Sequence, residues 1–235
     1  MLLTARYAVV GFLTLIAAPA FAEDTETSKD DSLLGWSITP GIGVRVVSLD
    51  VQRHSDGYTG RLTNDGSFTD PIFLSLNIES PSWMLSSKVG ISIRSFSQTF
   101  RLSRQQVPSS TSTSGQDYVD VGTSVQGFYS YLGPTMFYRM VDTTGDSRFG
   151  LGYGYWKAWF QGDIILGPNG TAAVGMPTTS ISGSTTGATG PILFWQTRGK
   201  NMLFEIAISQ AVFSQPNYRF TLSELVMSVG YQFRF

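Results

Sequence analysis

The sequence contains no cysteine and only one histidine, His54, in 235 residues. Without cysteine the chain cannot form a disulfide-stabilised scaffold or a thiolate metal site. A single histidine and scattered carboxylates show none of the ligand spacings of known metal sites. We therefore expect no metal ion and no other cofactor.

Charged side chains are also scarce. They make up 14% of the chain, and the formal net charge is -1, whereas soluble domains carry about 25% charged residues. A chain so close to neutral gives no reason to expect a nucleic-acid partner. The low charge predicts that much of the surface faces an environment other than water, and lipid is one such environment.

Long apolar runs are missing too. The only candidate, residues 7–18, follows Arg6 and precedes the small residues around Ala22, which is the pattern of a cleaved secretory signal over residues 1–22. Residues 23–34 are polar and predict a periplasmic lead, which leaves 35–235 as the folded domain. An exported chain without a spanning helix can cross a membrane only as a closed β-barrel.

Alternation of apolar and polar residues fills the rest of the chain. In the first such segment Ile38, Ile42 and Val46 share one face, while Thr39 and Arg45 share the other, the period-2 pattern of a strand with one apolar face. Segments of this kind begin near residues 36, 68, 83, 118, 149, 189, 202 and 218. They predict an all-β fold with eight strands.

The connections between these segments alternate in length. Tight turns are predicted at 81–82, 142–146 and 198–200, and long loops at 52–67, 103–116 and 167–188. Short turns at one end and longer loops at the other are typical of outer-membrane barrels, where an even strand number leaves both chain ends in the periplasm. The third long loop could hold another hairpin, so ten strands are the alternative.

The fourth segment has an irregular pattern. Val125 has one parity, whereas Phe128 and the apolar residues after it have the other. One extra residue in a strand reverses the facing of everything that follows. A bulge near Gly127 or Gly133 is therefore predicted.

The last eight residues carry the most specific motif. Ser228, Gly230, Tyr231, Phe233 and Phe235 form a pattern of polar, glycine and aromatic positions that ends at the chain terminus. This octapeptide resembles the C-terminal assembly signal of bacterial outer-membrane β-barrels, which the barrel-insertion machinery of that family recognises. The resemblance implies a transmembrane antiparallel up-and-down barrel similar to OmpX, OmpW and the OmpA membrane domain. It also implies contact with outer-membrane lipid and lipopolysaccharide, as a monomer or small oligomer.

Eight charged residues are predicted to point into the barrel. An eight-stranded lumen is just wide enough to be filled by side chains or to hold one small ligand. Because an unpaired buried charge is costly, we expect a network of paired charges, with a gate or narrow conduction path as the alternative. The predicted lumenal set is Arg45, Glu79, Lys88, Arg94, Asp120, Glu205, Glu224 and Arg234.

The sequence is compatible with three functions. A non-enzymatic barrel would serve envelope integrity, surface interaction or porin-like passage of small molecules. A lipid-modifying acyl hydrolase or transferase would use His54, Ser55 and Asp56 at the outer rim, but adjacent residues do not form a triad unless they converge in space. A surface adhesin would bind through loop residues 109–114 or 171–186. The first is the prediction, with no catalytic residue assigned.

Overall fold

The computed structural model describes residues 35–64, 72–108, 118–142, 145–167, 176–184, 187–199 and 201–235. The predicted signal and lead, and the loop residues 109–114 and 171–175, lie outside these ranges. The described chain forms fourteen strands. They are β1 Ser37–Arg53, β2 Thr59–Thr63, β3 Ile72–Glu79, β4 Trp83–Met84, β5 Val89–Leu102, β6 Arg104–Pro108, β7 Tyr118–Val121, β8 Val125–Asp142, β9 Gly145–Ile165, β10 Thr178–Ser184, β11 Ala188–Arg198, β12 Met202–Ser214, β13 Tyr218–Tyr231 and β14 Phe233–Arg234.

Eight of these strands close into a ring. The ring runs β1, β3, β5, β8, β9, β11, β12, β13, and β13 pairs antiparallel with β1 from Gly41↔Gly230 to Arg53↔Tyr218. Closure removes the open sheet edges that a membrane does not tolerate. The predicted eight-stranded antiparallel barrel is confirmed, and the ten-strand alternative is wrong because β10 pairs with β9 without entering the ring.

The alternation in sequence becomes an alternation of faces. Along β1, Ile38, Ile42 and Val46 are exposed, whereas Thr39 and Arg45 are buried. The outward face of the whole ring is a belt of exposed apolar and aromatic side chains, which is the surface that lipid covers in outer-membrane barrels. The belt includes Leu74, Leu76, Ile93, Leu132, Met136, Leu151, Tyr153, Leu193, Ile208 and Leu225.

The turn between β3 and β5 lies later in the chain than predicted. Trp83 and Met84 fold back onto β5, opposite Ile91 and Gly90, so the reversal occurs at residues 85–88 and not at 81–82. The hydroxyl of Ser86 accepts the backbone N–H of Val89 at 3.1 Å and so stabilises this turn.

The predicted bulge in the fourth segment is wrong. The register of β8 with β9 is constant from Val125↔Gly162 to Asp142↔Gly145, and with β5 it is equally regular. Val125 simply faces the lumen, with none of its surface exposed. The bulge was predicted because the lumen was expected to be polar, so that Val125 and Phe128 would both face lipid. In the structure Val125 faces the lumen and Phe128 faces lipid, as a regular strand requires.

Three predicted loops contain strands that extend the wall beyond the ring. β2 pairs with β1 and with β6, β6 pairs with β7, and β10 pairs with β9. Thr59 also bridges to Gly167, and the Gln105 amide exchanges two hydrogen bonds with the backbone of Ile165, at 2.5 and 2.8 Å. Because β1 and β9 are opposite one another in the ring, these contacts span the outer mouth of the barrel.

Candidate functional site

The periplasmic half of the lumen holds an ion-pair network centred on Glu79. The Arg148 Nη1 atom lies 3.3 Å from one carboxylate oxygen of Glu79, and the Arg198 guanidinium donates to the other. Ser92 Oγ donates to the same carboxylate at 3.1 Å. Glu79 comes from β3, while its two arginines come from β9 and β11, so the network joins strands on different sides of the ring.

A second ion pair lies beside the first. Arg94 of β5 contacts Glu205 of β12 at 2.5 Å, and both side chains are almost fully buried. The Gln196 amide donates to the same Glu205 oxygen at 2.6 Å. Asp146 adds a further carboxylate near the periplasmic end, with contacts of 2.9 Å to Arg139 and 3.2 Å to Arg148. Buried arginines therefore face carboxylates across the whole periplasmic half.

The middle of the lumen is polar but contains fewer ion pairs. The Tyr129 hydroxyl contacts both Glu224 and, at 2.6 Å, the amide oxygen of Gln98, while Ser209 Oγ donates to Glu224 at 2.8 Å. Arg45 donates to the backbone carbonyl of Thr99, and its guanidinium stacks 4.7 Å from the Phe73 ring. This layer lies between the ion pairs of the periplasmic half and an aromatic cluster in the outer half.

The outer half of the lumen is packed with aromatic and aliphatic side chains. Phe160 stacks on Phe220 with ring centroids 4.7 Å apart, and it meets Phe100 and Phe213 edge-on at 5.5 and 5.9 Å. The surrounding aliphatic side chains are fully or almost fully buried, so the aromatic cluster continues to the outer mouth. They are Leu49, Val51, Leu62, Leu102, Val125, Ile164, Ile181 and Leu222.

Glycines on β9 make room for large side chains. A Cβ on Gly154 would lie 2.7 Å from the Tyr131 ring, and one on Gly150 would lie 2.4 Å from Phe194. Tyr131 stacks on Phe96 at 5.1 Å and meets Trp156 at 5.0 Å. Bulky neighbours therefore occupy the space that the inward glycine face of β9 leaves.

The structure places five of the eight predicted lumenal charges inside the barrel: Arg45, Glu79, Arg94, Glu205 and Glu224. The predictions for Lys88 and Arg234 are wrong. Lys88 is exposed in the β4–β5 turn, and Arg234 is exposed on β14 at the periplasmic rim. Asp120 lies on β7, which pairs with β6 beyond the ring.

Four further lumenal charges were missed, namely Arg139, Asp146, Arg148 and Arg198. Arg148 has the parity of the inward glycines on the same strand, so alternation extended toward the periplasm would have found it. Arg198 has the parity of the inward residues of β11 but was assigned to a turn. The predicted strands end before Arg148 and Arg198, so the alternation pattern was not applied to these two arginines.

The C-terminal strand closes the ring. Ser228 and Gly230 are buried, whereas Tyr231, Phe233 and Phe235 are exposed on the outside near the periplasmic end. β14 pairs with the start of β1, and the Phe235 N–H donates to the Trp36 carbonyl at 3.0 Å. The aromatic positions of the motif thus lie at the level of a membrane-boundary girdle. Recognition by the insertion machinery stays a prediction.

His54 lies at the outer rim in an exposed turn. Its Nδ1 atom is 3.2 Å from the Pro216 carbonyl. Asp56 instead pairs with Arg53 at 2.7 Å, and that guanidinium lowers the pKa of the Asp56 carboxyl. Among the described residues, no serine hydroxyl or carboxylate forms a hydrogen bond with the imidazole. The three adjacent residues therefore do not assemble a nucleophile and its base.

A shallow pocket of 410 Å³ opens beside this rim, lined by Ser180, Gln215, Tyr218 and their neighbours. Within the described ranges, no group of three or more His, Cys, Asp or Glu side chains could hold a metal ion. No helix in the described part of the chain is long and apolar enough to cross a membrane.

Comparisons with known proteins find only distant similarity. No family model matches the sequence, and no curated protein matches it. Among solved structures, the attachment invasion locus protein Ail of Yersinia pestis is 15% identical with a TM-score of 0.36, and the comparison covers 85% of this chain and 99% of Ail. Neisserial surface protein A is 9% identical with a TM-score of 0.41, covering 85% and 97%. The outer membrane protease OmpT of Escherichia coli is 12% identical with a TM-score of 0.41, covering 90% and 100%.

These similarities are too weak to carry an argument, and the fold assignment rests on the strand pairing of this chain. The closed ring, the apolar outer belt and the short turns at one end together define a bacterial outer-membrane type of barrel. The predicted outer-membrane location agrees with these features.

Proposed function

We propose that this protein is a closed, non-enzymatic outer-membrane barrel that acts as a structural and surface-presenting element of the envelope, and that it does not serve as a pore. One observation carries the proposal: side chains fill the lumen from the Glu79 ion pairs to the Phe160 aromatic cluster. Water-filled conduction needs a continuous polar path, and the stacked rings of the outer half interrupt it.

The outer extension supports a role at the surface. β2, β6, β7 and β10 add paired backbone beyond the ring, and the Gln105–Ile165 contacts hold this extension across the mouth. Paired strands present side chains in fixed positions, which favours recognition by a surface partner over a passage that must open. The surroundings of His54 favour the non-enzymatic proposal over a lipid-modifying enzyme.

Single-channel recording in planar bilayers tests the proposal. The full-length refolded protein should give no discrete conductance steps, while a general-diffusion porin in the same bilayer gives them. A heat-dependent shift in gel mobility confirms that the silent barrel is folded.

Two variants make the recording decisive. Glu205→Ala changes the lumen, whereas Lys88→Ala removes a charge from an exposed turn. If the unmodified protein shows steps whose size changes with Glu205→Ala but not with Lys88→Ala, the lumen conducts and the closed-barrel proposal is wrong.

A further inference from the structure

The lipid-facing surface of β5, β8 and β9 contains a cationic patch near the outer end of the apolar belt. Strand register arranges its outward side chains in three rows. From the membrane centre outward, these rows are Ser97–Ser130–Lys157, Thr99–Phe128–Trp159 and Arg101–Gln126–Gln161. We call these nine residues the outer cationic patch.

The height of the patch in the wall places Lys157 inside the lipid boundary. Below it on β9 lie Tyr155, Tyr153 and Leu151, all at least half exposed to the surroundings of the barrel. Above it lies Trp159, stacked on Phe128 with centroids 6.2 Å apart. Aromatic side chains of this kind mark the headgroup level. Lys157 therefore lies just below the headgroups, where a long side chain extends its charge toward them.

Within the described ranges, the two cations of the patch have no acidic partner. Two other arginines at the outer end, the half-buried Arg53 and the exposed Arg61, contact Asp56 at 2.7 Å and Asp50 at 2.6 Å. Among the described residues, neither Lys157 nor Arg101 has an acidic side chain within 4.0 Å. The nearest acidic residue in register on this face is Asp163, one row beyond Gln161 on β9.

Lysine on a lipid face is unfavourable unless an anion meets it. The cost is largest at the bilayer midplane and falls toward the interface. One of the Ser97 and Ser130 hydroxyls donates to the other at 2.8 Å, and the accepting hydroxyl keeps its own O–H as a donor in the same row as Lys157. A charge-assisted set of ammonium and hydroxyl donors is suited to a phosphate group.

The spacing of the cations indicates more than one anionic group. Lys157 and Arg101 are separated by two strands and two rows, which corresponds to roughly 10 Å across the sheet and roughly 13 Å along it. A single phosphate cannot contact both. A headgroup with two phosphates on a rigid sugar unit can, and its acyl chains would lie on the apolar belt below.

We propose that the outer cationic patch binds the diphosphorylated sugar headgroup of lipid A in the outer leaflet, with one phosphate on Lys157 and the Ser97–Ser130 pair and the other on Arg101. The site rests on the outer-membrane placement given under the proposed function, but not on the closed lumen. Lipid binding and conductance can therefore fail independently.

Native mass spectrometry of the full-length refolded protein in detergent, titrated with diphosphoryl lipid A, tests the site. Lys157→Gln and Arg101→Gln should each weaken binding roughly five-fold, because a cation near an anionic headgroup contributes about that much. The double variant should weaken it roughly 25-fold. Arg219→Gln, an exposed cation at the outer end of β13, is the matched control and should leave binding unchanged.

The choice of lipid separates the possible ligands. Dephosphorylated lipid A should bind the unmodified protein about as weakly as diphosphoryl lipid A binds the double variant. If phosphatidylglycerol competes as well as diphosphoryl lipid A, or if Arg219→Gln weakens binding as much as Lys157→Gln, the surface only attracts anions and the proposed site is wrong. A heat-dependent mobility shift for each variant shows that any loss does not come from unfolding.

Discussion

The two halves of the lumen are filled by different physical means. The periplasmic half is held by Glu79, Glu205 and Asp146 facing buried arginines, whereas the outer half is held by Phe160 and the rings around it. Ion pairs depend on charge and direction, while apolar packing depends mainly on volume. The halves should therefore respond differently to conservative substitutions.

Contacts in both halves cross the barrel. Arg94 and Glu205 are 111 residues apart in sequence, and Arg198 and Glu79 are 119 apart. Each such pair ties strands that do not neighbour each other in the ring. Phe160 of β9 likewise contacts Phe100 of β5 and Phe220 of β13. Both halves therefore tie together strands across the barrel, but by different kinds of contact.

The largest effect is expected from Glu79→Gln. The amide keeps the shape of the side chain but removes the charge, and it leaves Arg198 buried without its carboxylate. Breaking a buried pair from one side costs about 3–5 kcal/mol. We expect a loss of that size in the free energy of unfolding, measured by urea titration in lipid vesicles.

Lys88→Gln is the matched control for this substitution. It also removes one charge from a predicted lumenal position, but Lys88 is exposed in a turn, so stability should change by less than about 0.5 kcal/mol. Equal effects from the two variants would show that the Glu79 network does not hold the periplasmic half.

A smaller loss is expected from Gly154→Ala, at the border between the halves. The new methyl group would lie 2.7 Å from the Tyr131 ring and 2.6 Å from the Leu132 carbonyl. Overpacking of this kind costs about 1–3 kcal/mol. Gly122→Ala is the control, because no heavy atom lies within 4 Å of that added Cβ. Urea titration should show a lower free energy of unfolding for Gly154→Ala but not for Gly122→Ala. An unchanged value for Gly154→Ala would mean that the Tyr131 ring can move aside.

The barrel was predictable from the sequence because a strand with one face toward lipid has an apolar residue at every second position. Ile38, Ile42 and Val46 point to lipid as their alternation predicts. Strand ends were less predictable. Trp83 looks like the start of a lipid-facing strand, yet it folds back onto Ile91, because apolar character at the membrane boundary suits both geometries.

The lumen was the harder part to predict. Alternation assigns a residue to the inside, but it does not say which partner crosses the barrel to meet it. Val125 and Phe160 were not recognised as lumenal filling because an apolar side chain suits either face. Arg148 and Arg198 were lost for the opposite reason, since charges beside predicted turns resemble ordinary solvent-exposed residues.

The smallest effect is expected from Phe160→Leu, the counterpart of Glu79→Gln in the aromatic half. Leucine keeps the site apolar and nearly filled, so the loss should be limited to the ring contacts with Phe220, Phe100 and Phe213, about 1 kcal/mol in unfolding free energy. Urea titration of this variant beside Glu79→Gln compares the halves directly. A loss of 3 kcal/mol or more would mean that the aromatic rings require a specific geometry. The outer half would then tolerate a conservative substitution no better than the periplasmic half does.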